Sequence, residues 1–161
     1  MKASILYHSV TGNTKAMAEK IAEGMQSQEI EAKTFSIEEA DKDWMKDSDC
    51  IIIGTPTYYA DLSAKTKEFL EVLGEYQVAG KLGGAFATAA YSYGGGDIAL
   101  QTILTHMMFW GMVVYSGGGA CGNPPIHLGP VSCGAQSDGN PELFYLYGQR
   151  MAIKAKELFS K

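Results

Sequence analysis

Hydroxyl side chains and one glycine are concentrated in a six-residue stretch near the start of the chain. Its members are Ser9, Val10, Thr11, Gly12, Asn13 and Thr14. The stretch lies between a strand-like run at 3–7 and a segment in which Met17, Ile21 and Met25 recur at helical spacing. A turn in this position points backbone N–H groups and the positive end of the helix at whatever lies above it, and Gly12 lets an anion approach the backbone. We therefore predict a cradle for one phosphate, with helix capping by Ser, Thr and Asn as the alternative explanation.

Two later loops carry tyrosines and small residues where strands are predicted to end. The first comprises Pro56, Thr57, Tyr58, Tyr59 and Ala60, and the second comprises Ala90, Tyr91, Ser92, Tyr93, Gly94, Gly95, Gly96 and Asp97. Tyrosine faces stack well on flat ligands. No G-x-x-x-x-G-K-[ST] or G-x-G-x-x-G motif follows the first predicted strand, which argues against a P-loop or dinucleotide site. A monophosphate joined to a flat aromatic system fits all three loops, and flavin mononucleotide (FMN) is the candidate we favour.

Apolar periodicity predicts five strands that alternate with helices. The strands lie at 3–7, 30–36, 49–54, 82–90 and 112–115. This alternation is typical of an α/β fold with a doubly wound, five-stranded parallel sheet in the order 2-1-3-4-5 and helices on both faces. The three loops follow the first, third and fourth strands, which this order makes neighbours at one edge. We expect residues 1–161 to form one domain.

Further segments lead to narrower predictions. One helix, ended by Gly74, is predicted from the apolar side formed by Leu62, Thr66, Phe69, Leu70 and Leu73. An apolar stripe at 107–110 fills more than one helix face, so part of it is predicted to line a homodimer or homotetramer interface. The irregular segment 117–139 is too long for a plain connector and is predicted to be functional. A last helix is predicted to begin near Asn140-Pro141.

The composition argues against several classes of protein. The formal net charge of −5 argues against nucleic acid and anionic membranes as partners, and no apolar stretch reaches the roughly 18 residues of a membrane span. Cys50, Cys121 and Cys133 are odd in number and lack C-x-x-C spacing, so we predict free thiols, no metal site and a cytoplasmic location. His8 and His106 are predicted to be structural.

Four segments resemble the flavodoxin superfamily, and most closely its WrbA-type FMN flavoproteins. Residues 9–15 resemble the phosphate loop written [ST]-x-T-G-x-T, and residues 54–60 are similar to a G-[ST]-P-T loop that carries the flavin ring. Residues 93–97 resemble a T-G-G-G-[QE] turn, and 127–142 contain matches to late segments of the same group. The resemblance covers nearly the whole chain. It implies that the residues of the three loops named above bind FMN.

The same resemblance implies NAD(P)H-dependent, two-electron reduction of quinones or similar acceptors, with NADH or NADPH as the donor. WrbA-type enzymes have a histidine before Gly-Met near the end of the fourth helix, whereas this chain has Trp110 before Gly111-Met112. We therefore assign no catalytic residue. The alternative is a flavodoxin-type carrier that exchanges electrons with a redox protein. The open, glycine-rich third loop leaves room for a small acceptor and favours the enzyme.

Overall fold

The computed structural model describes residues 1–134 and 139–160 as a parallel sheet with helices on both faces. Its strands are β1 (Lys2–Tyr7), β2 (Glu31–Ser36), β3 (Cys50–Tyr58), β4 (Asp61–Leu62), β5 (Leu82–Ala89), β6 (Val113–Val114) and β7 (Val131–Cys133). Its helices are α1 (Asn13–Gln26), α2 (Lys42–Asp47), α3 (Ala64–Glu71), α4 (Gly96–Phe109) and α5 (Pro141–Phe159), and short 3₁₀ helices cover Ile37–Glu39 and Leu73–Tyr76.

The order of the main strands confirms the predicted topology. Neighbours run β2-β1-β3-β5-β6, and each of these pairs is parallel. Residues 3–7 of β1 pair with 50–54 of β3, and residues 50–56 of β3 pair with 82–88 of β5. The carboxyl ends of β1, β3 and β5 therefore lie together at one edge, where the three loops named above begin.

Two short strands are missing from the sequence prediction. β4 pairs antiparallel with the end of β3 and makes a hairpin there. β6 pairs only with Leu82–Gly83 at the start of β5, while β7 pairs with Ala87–Ala89 at its end. The edge predicted as one strand at 112–115 is thus built from two pieces separated by residues 115–130. Three residues inside a Gly- and Pro-rich segment are too few for a periodicity signal.

The core consists of two apolar layers, one on each face of the sheet. Alternation along β3 sends Ile52 to the layer that contains α1 and α5, and sends Ile51 and Ile53 to the layer that contains α3 and α4. All three isoleucines are fully buried, as expected of a central parallel strand.

The prediction that Gly74 ends a helix that includes Leu62 is wrong. Leu62 lies in β4, α3 ends at Glu71, and Gly74 lies inside the following 3₁₀ helix. A Cβ at Gly74 would overlap the ring of Trp110, whose Nε1 donates to the Leu70 carbonyl at 2.8 Å. The glycine therefore serves the packing of α3 against the end of α4.

Helices α1 and α5 approach each other closely because each carries a glycine where they cross. A Cβ at Gly24 would overlap the backbone carbonyl of Tyr145, and a Cβ at Gly148 would overlap that of Ile21. This contact fixes α1 against the sheet, and the amino end of α1 carries the predicted phosphate loop.

Gly148→Ala is expected to lower the free energy of unfolding by about 2 kcal/mol, because the added methyl meets backbone that cannot rotate away. This steric effect exceeds the gain of about 1 kcal/mol in helix propensity. Chemical denaturation measures the difference. Gly119→Ala is the control for added volume, since no atom of the described residues lies within 4 Å of a Cβ there. Equal stability of the two variants would contradict the close crossing.

Candidate functional site

The three loops meet in one cleft at the carboxyl ends of β1, β3 and β5. Its main hollow has a volume of about 470 Å³. The hollow is lined by Val10, Thr11, Asn13, Thr14, Pro56, Thr57, Tyr58, Thr88, Ala89, Ala90, Tyr91 and Gly134. A second hollow of about 350 Å³ adjoins it, and Tyr59 and Gly94 are part of its wall. The geometry thus brings residues of all three predicted loops together.

The loop after β1 is arranged around Ser9. The Ser9 hydroxyl oxygen accepts hydrogen bonds from the amides of Gly12 at 3.1 Å and Lys15 at 3.3 Å, so this residue does act as a cap. Gly12 has a φ of 91°, in the left-handed region that favours glycine. The backbone N–H groups of Asn13 and Thr14 have no hydrogen-bond acceptor within residues 1–134 and 139–160. Capping therefore accounts for Ser9, whereas two N–H groups at the positive end of α1 remain available to an anion.

Two threonines, one in the first turn of α1 and one near the end of β5, are hydrogen-bonded to each other beside the cleft. Thr14 Oγ1 and Thr88 Oγ1 lie 2.8 Å apart in a buried hydrogen bond. Thr88 is a site residue that sequence analysis missed, together with Ala89. The available signal was a lone hydroxyl near the end of the small-residue run that forms β5. The buried pair joins the amino end of α1 to β5.

Thr57 carries the clearest unmet hydrogen-bonding capacity in the cleft. Its Oγ1 is buried and has no hydrogen-bond partner among the residues that the structure describes. Buried hydroxyls are normally bonded. Because Thr57 lines both hollows, a molecule that fills them would lie beside this residue.

Exposed tyrosines surround the cleft. Tyr58 is partly exposed and Tyr59 is fully exposed. Tyr91 and Tyr93 stack on each other, with ring centroids 5.5 Å apart. Val10, 69% exposed, lies on the opposite loop. We refer to these five residues as the tyrosine rim.

Several predicted site residues support the cleft without lining either hollow. They are Ser9, Gly12, Ala60, Ser92, Tyr93, Gly95, Gly96 and Asp97. Gly95 has a φ of 96°, and a Cβ there would overlap the Ala60 backbone, so the second and third loops touch through main chain. Of the irregular segment 117–139, Gly134 lines the main hollow, while 135–138 lie outside the described residues.

The histidines, the cysteines and Trp110 line neither hollow, although Cys133 pairs with Ala89, which lines both. His8 Nδ1 bonds Ser63 Oγ at 2.9 Å, and His106 Nδ1 bonds the Thr102 carbonyl at 2.7 Å, in keeping with structural roles. Cys50, Cys121 and Cys133 are free, and burial raises the pKa of the Cys50 thiol. Among residues 1–134 and 139–160 no three His, Cys, Asp or Glu side chains could hold a metal, and no described helix is long and apolar enough to cross a membrane.

Comparison with known proteins places the chain among relatives of matching length. The family model described as Flavodoxin matches residues 5–110. The flavodoxin of Clostridium saccharobutylicum is 46% identical over 99% of this chain and 100% of that protein. The NAD(P)H dehydrogenase (quinone) of Archaeoglobus fulgidus is 25% identical over 96% of this chain and 97% of that protein. A crystal structure of a WrbA-like flavodoxin from Agrobacterium tumefaciens has a TM-score of 0.76, at 25% identity over 98% of each chain. The chain therefore belongs to the flavodoxin family.

Proposed function

We propose that the chain binds FMN in the cleft and carries electrons between redox proteins. The proposal is carried by one observation: among residues 1–134 and 139–160, two α1 amides without an acceptor and a buried Thr57 hydroxyl without a partner meet in one cleft. The phosphate would lie on residues 9–14, and the flavin ring between the second and third loops. When bound, FMN supplies the redox chemistry; the chain supplies binding, orientation and electrostatics.

The carrier is favoured over the reductase by the comparisons. The flavodoxin relative is considerably more similar to this chain than the quinone dehydrogenase relative, at 46% against 25% identity. In addition, Trp110 lies in a groove with Leu70 and Phe109 that is separate from both hollows of the cleft. The preference that sequence analysis gave to the enzyme is therefore reversed. Reduction of quinones by NADH or NADPH is the second candidate, supported by the dehydrogenase relative and by the open second hollow.

A protein partner would approach the cleft at the tyrosine rim. The rim residues are uncharged and expose large apolar surfaces, which is typical of the centre of a protein interface. The free thiols support a reducing, cytoplasmic setting for this exchange. Met108 and Phe109 are exposed at the far end of α4, so self-association through the stripe 107–110 stays a prediction.

Thr57→Val is expected to weaken FMN binding about tenfold, because it removes one ligand hydrogen bond. The free energy of unfolding of the FMN-free protein should stay equal or rise, since the hydroxyl has no partner to lose. Fluorescence titration with FMN and denaturation of the FMN-free protein measure the two effects.

Thr34→Val on β2 is the control and should leave FMN affinity unchanged, because Thr34 lines a separate hollow beside α1 and neither hollow of the cleft. An unchanged FMN affinity in Thr57→Val would contradict the placement of the ligand. A wild-type protein that binds no FMN would remove the proposed function altogether.

Anaerobic titration of the FMN-loaded protein with NADH and with NADPH separates the two candidates. A carrier should leave the flavin oxidised with either nucleotide, while dithionite should produce a stable one-electron-reduced form visible by electron paramagnetic resonance. Rapid bleaching by one nucleotide, without that form, would instead establish the reductase and justify a screen of quinones.

The double substitution Tyr59→Ser and Tyr93→Ser is expected to slow electron transfer to a c-type cytochrome, used as a probe protein, by about tenfold. The reason is the loss of apolar contact at the rim. Phe109→Ser removes another exposed aromatic side chain, at the far end of α4, and should not change this rate. Oxidation by ferricyanide, which needs no protein interface, controls for changes in the flavin. Equal rates for both variants would place the partner elsewhere.

A further inference from the structure

The hairpin between β3 and β4 holds two consecutive residues in an unfavourable backbone conformation. Tyr59 has a φ of 51° and Ala60 a φ of 66°, between the paired residues Tyr58 and Asp61. Two-residue turns with positive φ at both positions strongly prefer Asn, Asp or Gly. Tyr59 and Ala60 lack that local preference, so the surrounding structure must stabilise the turn.

One side chain connects this turn to a long helix. Asp61 Oδ1 accepts a hydrogen bond from the Leu62 amide at 2.7 Å and another from Thr102 Oγ1 at 2.9 Å. The Ile98 carbonyl, 3.0 Å from Thr102 Oγ1, is the alternative acceptor for the single proton of that hydroxyl. The first bond orients the carboxylate within the hairpin. The second joins it to α4, a fourteen-residue helix whose buried side packs on the sheet. The helix thereby limits where the hairpin can lie.

The same helix begins against the turn. Gly95 precedes α4, and its Cα lies so close to Ala60 that any side chain at Gly95 would overlap the Ala60 backbone. The turn is therefore held at two places, by main-chain contact at Gly95 and by the hydrogen bond from Thr102. Neither Asp61 nor Thr102 lines the hollows of the cleft.

We propose that Asp61 and Thr102 are positioning residues for the ring end of the cleft. Their hydrogen bond holds the Tyr59–Ala60 turn at the place where it borders the flavin ring. This inference rests on the proposed binding of FMN. Variants can test this hydrogen bond apart from the negative charge of Asp61. Asp61→Asn removes the charge but keeps an oxygen that can accept both bonds, whereas Asp61→Ala and Thr102→Val remove the connection.

Hydrogen exchange on the FMN-free protein tests the connection itself. The Leu62 amide should exchange about tenfold faster in Thr102→Val and Asp61→Ala than in the wild type. Thr105→Val is the matched control, because the Thr105 hydroxyl bonds only the carbonyls of Gln101 and Thr102 within α4 among the described residues. An exchange rate in Thr102→Val equal to that in Thr105→Val would overturn the proposal.

FMN titration of the same variants tests the positioning role. Thr102→Val and Asp61→Ala should each lower the affinity for FMN about tenfold. The double variant should bind FMN as tightly as Asp61→Ala alone, because both changes remove the same connection. The affinity of Asp61→Asn should stay within about threefold of the wild type. The visible circular dichroism of bound flavin should change in the first two variants and be restored in Asp61→Asn. Effects that add in the combination, or equal loss in Asp61→Asn, would overturn the proposal.

The outcome for the wild type keeps the two proposals apart. If the wild type binds no FMN, the proposed function fails and the hydrogen-exchange result alone reports on the hairpin. If the wild type binds FMN and all the variants match it, the proposed function stands and only the positioning role is lost.

Discussion

The parallel pairing of β1, β3 and β5 is the constraint on which the site depends. Residues 50–54 of β3 pair with β1 on one side, and residues 50–56 pair with β5 on the other, so the three strands advance together toward one edge. Packing reinforces this pairing where β3 carries no side chain at Gly54, because the ring of Phe86 on β5 occupies that space. A change of register would separate the amino end of α1 from Thr57 and Thr88. The residues of the three loops form one cleft only because these strands end at the same edge of the sheet.

The features that sequence analysis predicted correctly are those encoded locally. Strand β3 is an apolar run, α5 begins with Pro141 in its first turn, and the hydroxyl-rich turn near the start of the chain lies between β1 and α1 as predicted. Thr88 and Ala89 could not be found in this way, because their place in the cleft depends on the register between strands that are distant in sequence. The hairpin at Tyr59–Ala60 was also hidden, since neither residue is one that favours such a turn. The role of Gly74 could not be predicted because it depends on its contact with Trp110, which follows α4 and is distant in sequence.

The choice between carrier and enzyme depends on what surrounds the ring more than on the phosphate loop. The loop at 9–14 would bind the proposed phosphate through backbone amides and hydroxyls, and it would do so equally well in either class. The ring end differs, because its border is the tyrosine rim, and the histidine position of the WrbA-type enzymes is taken by Trp110 in a separate groove. Fold alone cannot decide this question, since one fold supports several redox roles. The local surface and the greater similarity to a flavodoxin both favour protein-to-protein exchange.

The cleft also contains features that are unfavourable until a ligand is present. A buried hydroxyl without a partner costs about 1–3 kcal/mol, and each left-handed non-glycine residue of the hairpin costs about 1–2 kcal/mol. These features coincide at one end of one cleft, where Thr57 and Tyr59 line the same hollow. The rest of the fold supplies the compensation through its two buried layers and the close crossing of α1 and α5. A ligand that bonds the Thr57 hydroxyl and packs on the hairpin would remove part of this cost. Binding of such a ligand would therefore stabilise the fold, and the stabilisation should grow with ligand concentration above the dissociation constant.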